Sequence, residues 1–207
     1  MSVYKIETNQ YDTCEIHQRR QIEDGIDEFG EDKNLKKGLN FPINNTTDPK
    51  LRYRAFVGAF LWIAWCTRPD ILFAITYLLR FSTYATKIRW DALIRALRYL
   101  KTIVEIPFVL KLTDNTSKDK CNVTIIANPD WAHDIVDDRK SVSKRRAIVN
   151  GALTTFITAQ QATVSTSSTE TEFMSTIDAC SESSYSRNSL PGLITVVIPI
   201  EASLDNR

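Results

Sequence analysis

Histidine and glycine are scarce in this chain of 207 residues, with two and six respectively, and each scarcity removes a class of chemistry. Neither His17 nor His133 stands in a Ser/Cys partner pattern, so the sequence gives no nucleophile–base pair of the hydrolase kind. No glycine-rich string able to cradle phosphate is present. The four cysteines (Cys14, Cys66, Cys121 and Cys180) are far apart and lack Cys-x-x-Cys spacing, which speaks for reduced thiols and against a cysteine-based zinc site. The longest apolar run, residues 55–66, is too short to cross a membrane. The amino terminus, MSVYKIETNQYDTC, has no apolar core of the signal-peptide kind, so the expected location is intracellular, in cytoplasm or nucleus, with secretion left as the alternative. Without secretion, the Asn-x-Ser/Thr strings at Asn44, Asn45, Asn115 and Asn122 carry no meaning. Charge of one sign is lacking too. The formal net charge is +1, so any attraction to nucleic acid must come from local patches.

What is present is a 43% hydrophobic chain, enough for one medium domain or two small ones with a real core. Three regions are expected: a polar stretch (1–48), a helical segment (49–106) and a sheet-plus-helix part (107–207). In the first, few apolar anchors accompany an acidic block (23–28) and a basic one (33–37). It is expected to be mostly irregular with short helical pieces, because its apolar content is too low to offset an ordering cost of about 1–2 kcal/mol per residue. In the second, residues 54–67 are apolar almost all round and predict a central helix. Pro69 fits the first position of a second helix, which buries Ile71, Leu72, Ile75, Leu78 and Leu79. A third helix over 88–104 carries a stripe of Trp90, Leu93, Leu97, Leu100 and Val104, with Lys87, Arg95 and Arg98 on another face.

Residues 123–190 organise the rest. A β-branched run (123–126) leads into an acidic turn with Asp130, Trp131, Asp134, Asp137 and Asp138. Two β-rich runs follow (147–149 and 154–164). Ser167, with Glu170 three residues later, then gives a capping box that opens a helix, expected to press Phe173 and Ile177 against the sheet. Carboxylates therefore fall at a strand end and in the first turn of a helix, an arrangement that, brought together, holds divalent metal for phosphoryl chemistry.

Several strings in this chain occur together in one known family. They are Tyr53-Arg54-x-Phe56-Val57-Gly58, Cys66-Thr67-Arg68-Pro69-Asp70-Ile71 and Leu97-Arg98-Tyr99-Leu100-Lys101. Pro129-Asp130-Trp131-Ala132-x-Asp134, Asp137-Asp138-Arg139-Lys140-Ser141-x-Ser143 and the run from Gln161 to Met174 follow them. In that order they resemble copia-type retrotransposon polyproteins, in the segment after the reverse transcriptase palm and the ribonuclease H region that follows. The resemblance implies an α+β fold: a three-helix segment, then an incomplete ribonuclease H-like mixed sheet with one packed helix. Three antiparallel strands would precede the helix, and residues 194–204 would supply a fourth, parallel strand. That strand is expected to be left as an edge at Arg207, so that either another chain covers it or the domain is unstable.

The same resemblance implies a metal site, two Mg2+ or Mn2+ ions acting on an RNA:DNA hybrid. Taken position by position, the family's first metal-binding Asp is Asn128 here, and Asp130 stands two residues on, after a Pro129 expected to disrupt the strand. The second carboxylate matches Glu172 and the third Asp205, which with Glu172 is the expected metal ligand pair. The fourth falls beyond this sequence. Asp130, Glu172 and Asp205 are thus the candidate catalytic residues. Lys87, Arg95, Arg98, Lys144, Arg145 and Arg146 are candidate nucleic-acid contacts.

Three readings follow. The first is a derived, catalytically inactive fragment of a copia-type polyprotein. The second is a repurposed effector or binding protein, since Arg95-Ala96-Leu97-Arg98 spells the R-x-L-R string of oomycete secreted effectors, although it falls in an amphipathic helix with no Glu-Glu-Arg after it. The third is an active metal-dependent hybrid nuclease. No membrane partner is expected.

Overall fold

The computed structural model of the chain describes residues 5–9, 13–29, 49–112, 120–131, 139–189, 195–197 and 200–202. The chain divides into two compact units, one made essentially of Cys14–Val109 with the N-terminal strand, the other of Leu110–Arg207. Both helices and sheets are present, so the fold is mixed α+β as expected.

The first unit opens with strands β1 (Lys5–Asn9) and β2 (Thr13–His17), then helices α1 (Arg19–Phe29), α2 (Pro49–Thr67), α3 (Pro69–Leu79) and α4 (Lys87–Thr102). Strand β3 (Phe108–Lys111) completes a sheet of order β1-β2-β3. The N-terminal region is therefore not mostly irregular where it is described. Its few apolar residues are used efficiently: Ile22 of α1 is buried, and α1 packs on α2 and α4. Buried Gln18, just before α1, accepts a hydrogen bond from the Thr67 hydroxyl. Docking on helices already held by their own core offsets an ordering cost that the segment could not meet alone.

Helices α3 and α4 follow the expected boundaries closely, and α2 ends as expected at Thr67 but begins earlier, at Pro49. Their core holds Tyr53, Phe56, Phe60, Leu72, Ile75, Trp90, Leu93 and Leu97, each essentially inaccessible. Phe56 meets Phe60 and Trp90 edge-on at 4.7 and 5.5 Å between centroids. The Tyr53 hydroxyl donates to the Leu78 carbonyl at 2.9 Å, and burial pushes its pKa up to about 12. Helix α2 is not covered all round. Its inward residues step by three and four from Tyr53 to Thr67, while Trp62 and Trp65 on the far side are about half exposed. Leu79 likewise turns outward at the end of α3, and Val104 lies beyond the last residue of α4.

The second unit contains β4 (Lys120–Asp130), β5 (Val142–Val149), β6 (Ala152–Gln160), helix α5 (Ser168–Ser189), and short strands β7 (Thr195–Val197) and β8 (Ile200–Ala202). β4 pairs antiparallel with β5, Val123 facing Val149 and Asp130 facing Val142, and β5 pairs antiparallel with β6. Asn150 and Gly151 form the tight β5–β6 turn, both at positive φ, as a two-residue hairpin turn requires. The Asn150 side chain also accepts from the Asn122 backbone N–H at 2.7 Å, fastening the turn to β4. At the register shift by Ala147, the Thr154 hydroxyl donates to the Ala147 carbonyl at 3.2 Å. β7 and β8 both run parallel to β4 with one offset (120 to 195, 125 to 200), so they continue one line of pairing.

Two local expectations are corrected. Pro129 does not break β4: it lies within the strand opposite Ser143, and among the described residues the parallel pairing on the other side reaches only Ala127, so the proline removes no described ladder bond. Helix α5 does not present Phe173 and Ile177 to the sheet; they are 67% and 50% exposed. The inward stripe is Thr171, Ser175 and Ala179, four residues apart, and Ala179 joins Val123, Ile125, Ala127 and Ala147 in the core. Small side chains let the helix backbone approach the sheet closely, which a Phe at this layer would prevent.

That facing generates a contrast in stability. Ala179→Leu should lower the unfolding free energy by about 1–3 kcal/mol through overpacking. Phe173→Ser should change it by less than about 0.5 kcal/mol. Urea denaturation of both variants measures the difference, and a larger loss from Phe173→Ser would mean that α5 presents the other face.

Candidate functional site

The expected metal site gathers at the end of β4 and the start of α5. Strand alternation decides where its members point. Val123, Ile125 and Ala127 face the core beneath α5, so Asn128 and Asp130 lie on the opposite face of the strand. Asn128 is exposed and Asp130 half-buried. Lys144, the register partner of Asn128, brings its ammonium to 4.0 Å from the Asp130 carboxylate. Glu172 is half-buried on α5, the helix that covers the other face. Asp205, with Asp134, Asp137, Asp138 and His133, lies outside the described residues. Among the described residues, neither Asp130 nor Glu172 belongs to a group of three or more metal-ligating side chains.

The basic run splits in the same way. Lys144 and Arg146 point to the Asp130 face. Arg145 points under α5 and pairs with Asp178 at 2.5 Å, its side chain 14% exposed. The three cations do not form one patch, because neighbouring strand residues alternate faces. On α4, Lys87, Arg95 and Arg98 are all exposed, on the side away from the buried stripe. Leu97, within the R-x-L-R string, is buried in the core at 1% exposure.

What the geometry does assemble is a buried polar clasp at the start of α5. The Gln161 side-chain amide donates to Ser143 Oγ at 3.0 Å and to the Thr171 carbonyl at 3.2 Å, and accepts from Ser165 Oγ at 2.9 Å. Its backbone N–H donates to the Ser141 carbonyl at 2.8 Å. The hydroxyls of Ser141 and Thr171 sit 3.1 Å apart. All five residues are buried. Trp131 joins through its indole N–H, which donates to the Ser165 carbonyl at 3.4 Å. Sequence reasoning missed this cluster, although its signal was there: short hydroxyl side chains around one glutamine, inside the strings that carried the resemblance.

The helix entrance behaves as the capping signal implied. The Glu170 N–H donates to Ser167 Oγ at 3.2 Å. The Glu170 carboxylate reaches one residue further back than a standard capping box, accepting the Thr166 N–H at 2.6 Å and its hydroxyl at 2.8 Å. These bonds hold the Glu170 pKa below its ordinary value, the backbone one contributing most.

The first unit has a matching device. The Arg68 guanidinium pairs with Asp70 at 2.8 Å and donates to the Ile106 carbonyl at 3.3 Å. Asp70 also accepts from the Tyr99 hydroxyl at 2.8 Å. Two of the strings noted above, those around Arg68 and Tyr99, are thereby tied to each other.

With this geometry in view, the comparisons with known proteins give the class first. The chain is 31% identical over 148 residues to the retrovirus-related Pol polyprotein from transposon RE2 of Arabidopsis thaliana, covering 72% of this chain and 9% of that polyprotein. It is 32% identical over 122 residues to the uncharacterized mitochondrial protein AtMg00810 of the same plant, covering 58% of this chain and 48% of that protein. It is thus a relative of a transposon Pol polyprotein. It is also 32% identical over 130 residues to the secreted RxLR effector protein 161 of Plasmopara viticola, covering 63% of this chain and 87% of that protein, and it belongs to that protein's family. No protein-family profile and no solved structure matches the chain.

The cap gives a pH-dependent expectation. A carboxylate whose folded pKa is depressed contributes stability above its unfolded value and loses it as pH falls through the folded value. Glu170 should therefore titrate below 4.5 in a carboxyl NMR titration. Glu170→Gln should remove that part of the acid dependence while leaving stability at acid extremes unchanged. A Glu170 midpoint at or above 4.5 would refute the capping geometry.

Proposed function

We propose that this chain derives from a copia-type retrotransposon polyprotein, with a segment that followed the reverse transcriptase palm and a ribonuclease H-like domain that no longer hydrolyses RNA. The Pol polyprotein relative supports the origin. The strand order supports the domain reading: three antiparallel strands, a helix, then pairing parallel to the first strand.

The observation that carries the loss of hydrolysis is the β4 terminus. An amide occupies the position where the resemblance puts the first metal-binding carboxylate, and Asn128 and Asp130 face away from the helix that bears Glu172. An Asn oxygen lacks the charge needed between two cations, and the Lys144 ammonium beside Asp130 opposes a cation there. The described residues do not fit a two-metal centre of Mg2+ or Mn2+. Phosphoryl transfer depends almost wholly on positioning and charge, so such a site loses most of its rate.

A second reading, an effector or binding protein acting through its surface, is favoured by the extent of the match to the RxLR effector. The string Arg95-Ala96-Leu97-Arg98 does not supply it as a free linear motif, because Leu97 is locked in the core. The solvent face of α4 is the better surface for a partner such as an RNA:DNA hybrid.

The test is cleavage of a labelled RNA:DNA hybrid with magnesium or manganese. No metal-dependent cleavage is expected from the unmodified chain. None is expected from Asn128→Asp, whose new carboxylate would still face away from α5. Cleavage that Glu172→Gln abolishes would overturn the inactive reading. Salt-sensitive binding without cleavage, weakened by Lys87→Ala with Arg95→Ala, would support the binding reading.

A further inference from the structure

We propose that Glu7, Glu15 and His17 form a site for one divalent transition-metal ion, zinc by preference, on one face of the β1-β2-β3 sheet. This site is separate from the carboxylates of β4 and α5 and does not depend on the origin proposed above.

Three observations converge. Glu15 and His17 are two residues apart on β2, so alternation places them on one face, and Glu7 comes from the neighbouring strand β1. One ligand atom from each residue lies within 4.8 Å of the others. The imidazole Nε2 of His17 is sealed from solvent, yet among the described residues it has no hydrogen-bond partner. The nearest carboxylate oxygen, from Glu15, is 3.7 Å away, too long for a hydrogen bond. A buried nitrogen without a partner is destabilising, and a bound cation removes that penalty. A tetrahedral ion with bonds of about 2.0–2.2 Å holds its ligand atoms roughly 3.3–3.6 Å apart, close to the spacing of His17 and Glu15.

Two carboxylates meet on one face; the Lys5 ammonium paired with Glu7 competes with an ion there, but it is on a largely exposed side chain that can swing into solvent when the ion binds. The donor set decides the ion. One imidazole nitrogen with two carboxylate oxygens suits zinc, whereas calcium and magnesium prefer all-oxygen shells. Three protein ligands leave a fourth position open to water or an incoming group. Cys14 alternates to the other face of β2, so the site uses no thiol. By joining β1 to β2, the ion would stabilise the N-terminal strand on its unit.

The test uses the full chain, stripped with a chelator and titrated with Zn2+ by calorimetry and with Co2+ by visible absorption. One ion per chain is expected, with Co2+ bands lacking thiolate charge transfer. His17→Gln, Glu15→Gln and Glu7→Gln should each weaken binding by at least about tenfold, since even outer-sphere partners are worth 10–100-fold. Cys14→Ser should leave binding unchanged. Because a substitution in a small sheet risks unfolding, the unmodified chain provides a second readout: Zn2+ should shift the NMR resonances of the His17 ring and spare those of His133. Absence of a His17 shift at saturating Zn2+, binding by His17→Gln as tight as by the unmodified chain, or a thiolate band abolished by Cys14→Ser would each overturn the site.

Discussion

The second unit depends on one amide. Gln161 sits where β6 ends and the chain turns toward α5, and it is hydrogen-bonded on both sides. Its backbone and side chain hold β5 through Ser141 and Ser143, while its side chain holds the chain before α5 through Ser165 and the helix through Thr171. Both amide hydrogens and the amide oxygen are used. Each bond adds only about 0.5–1.5 kcal/mol net, but an apolar residue here would leave several buried groups unsatisfied, at about 1–3 kcal/mol each. The position of α5 on the sheet follows, because the clasp turns Thr171 inward and the helical repeat then brings Ser175 and Ala179 after it. The first unit uses the same logic with charge: Asp70 joins Arg68 at the start of α3 to Tyr99 near the end of α4.

These two devices change what the polyprotein-like strings mean. Ser141, Ser143, Gln161 and Thr171 come from two of them, and Arg68, Asp70 and Tyr99 from two others. In both units, residues far apart in sequence meet through hydrogen bonds. Much of the likeness to a transposon Pol polyprotein is therefore explained by architecture, with no need of catalysis. A chain can keep such strings while its metal ligands change, because the clasp and the ligands occupy different positions.

Helices were the most legible feature of the sequence. The three-and-four spacing of Trp90, Leu93, Leu97 and Leu100 and the Pro69 start gave α4 and α3 within a residue or two, since local sterics and a single apolar stripe determine them. The antiparallel pairing of β4 with β5 was also legible from their β-branched runs. The inward face of α5 was not. Hydrophobicity favours Phe173 and Ile177, but close approach and the Gln161 clasp select Thr171, Ser175 and Ala179, and neither is visible without the partner strand. The N-terminal strands and α1 were hidden for a similar reason, since their stability comes from docking on α2 and α4. At the candidate metal site, the ion pair of Asp130 with Lys144 was not legible, because it depends on cross-strand register.

How little the fold depends on the side chain at position 128 follows from these positions. Asn128 is exposed at the end of β4, whereas the core beneath α5 is made of Val123, Ile125, Ala127, Ala147 and Ala179. Exchanging one exposed polar side chain for another leaves that core and the clasp untouched. The fold thus places no stability requirement on the side chain at position 128. Constraint stays with Gln161, Arg68 and Asp70, while the outward surfaces of α4 and α5 can change freely. A scaffold divided in this way can lose an activity without losing its shape, and any later role would be written on those outward surfaces.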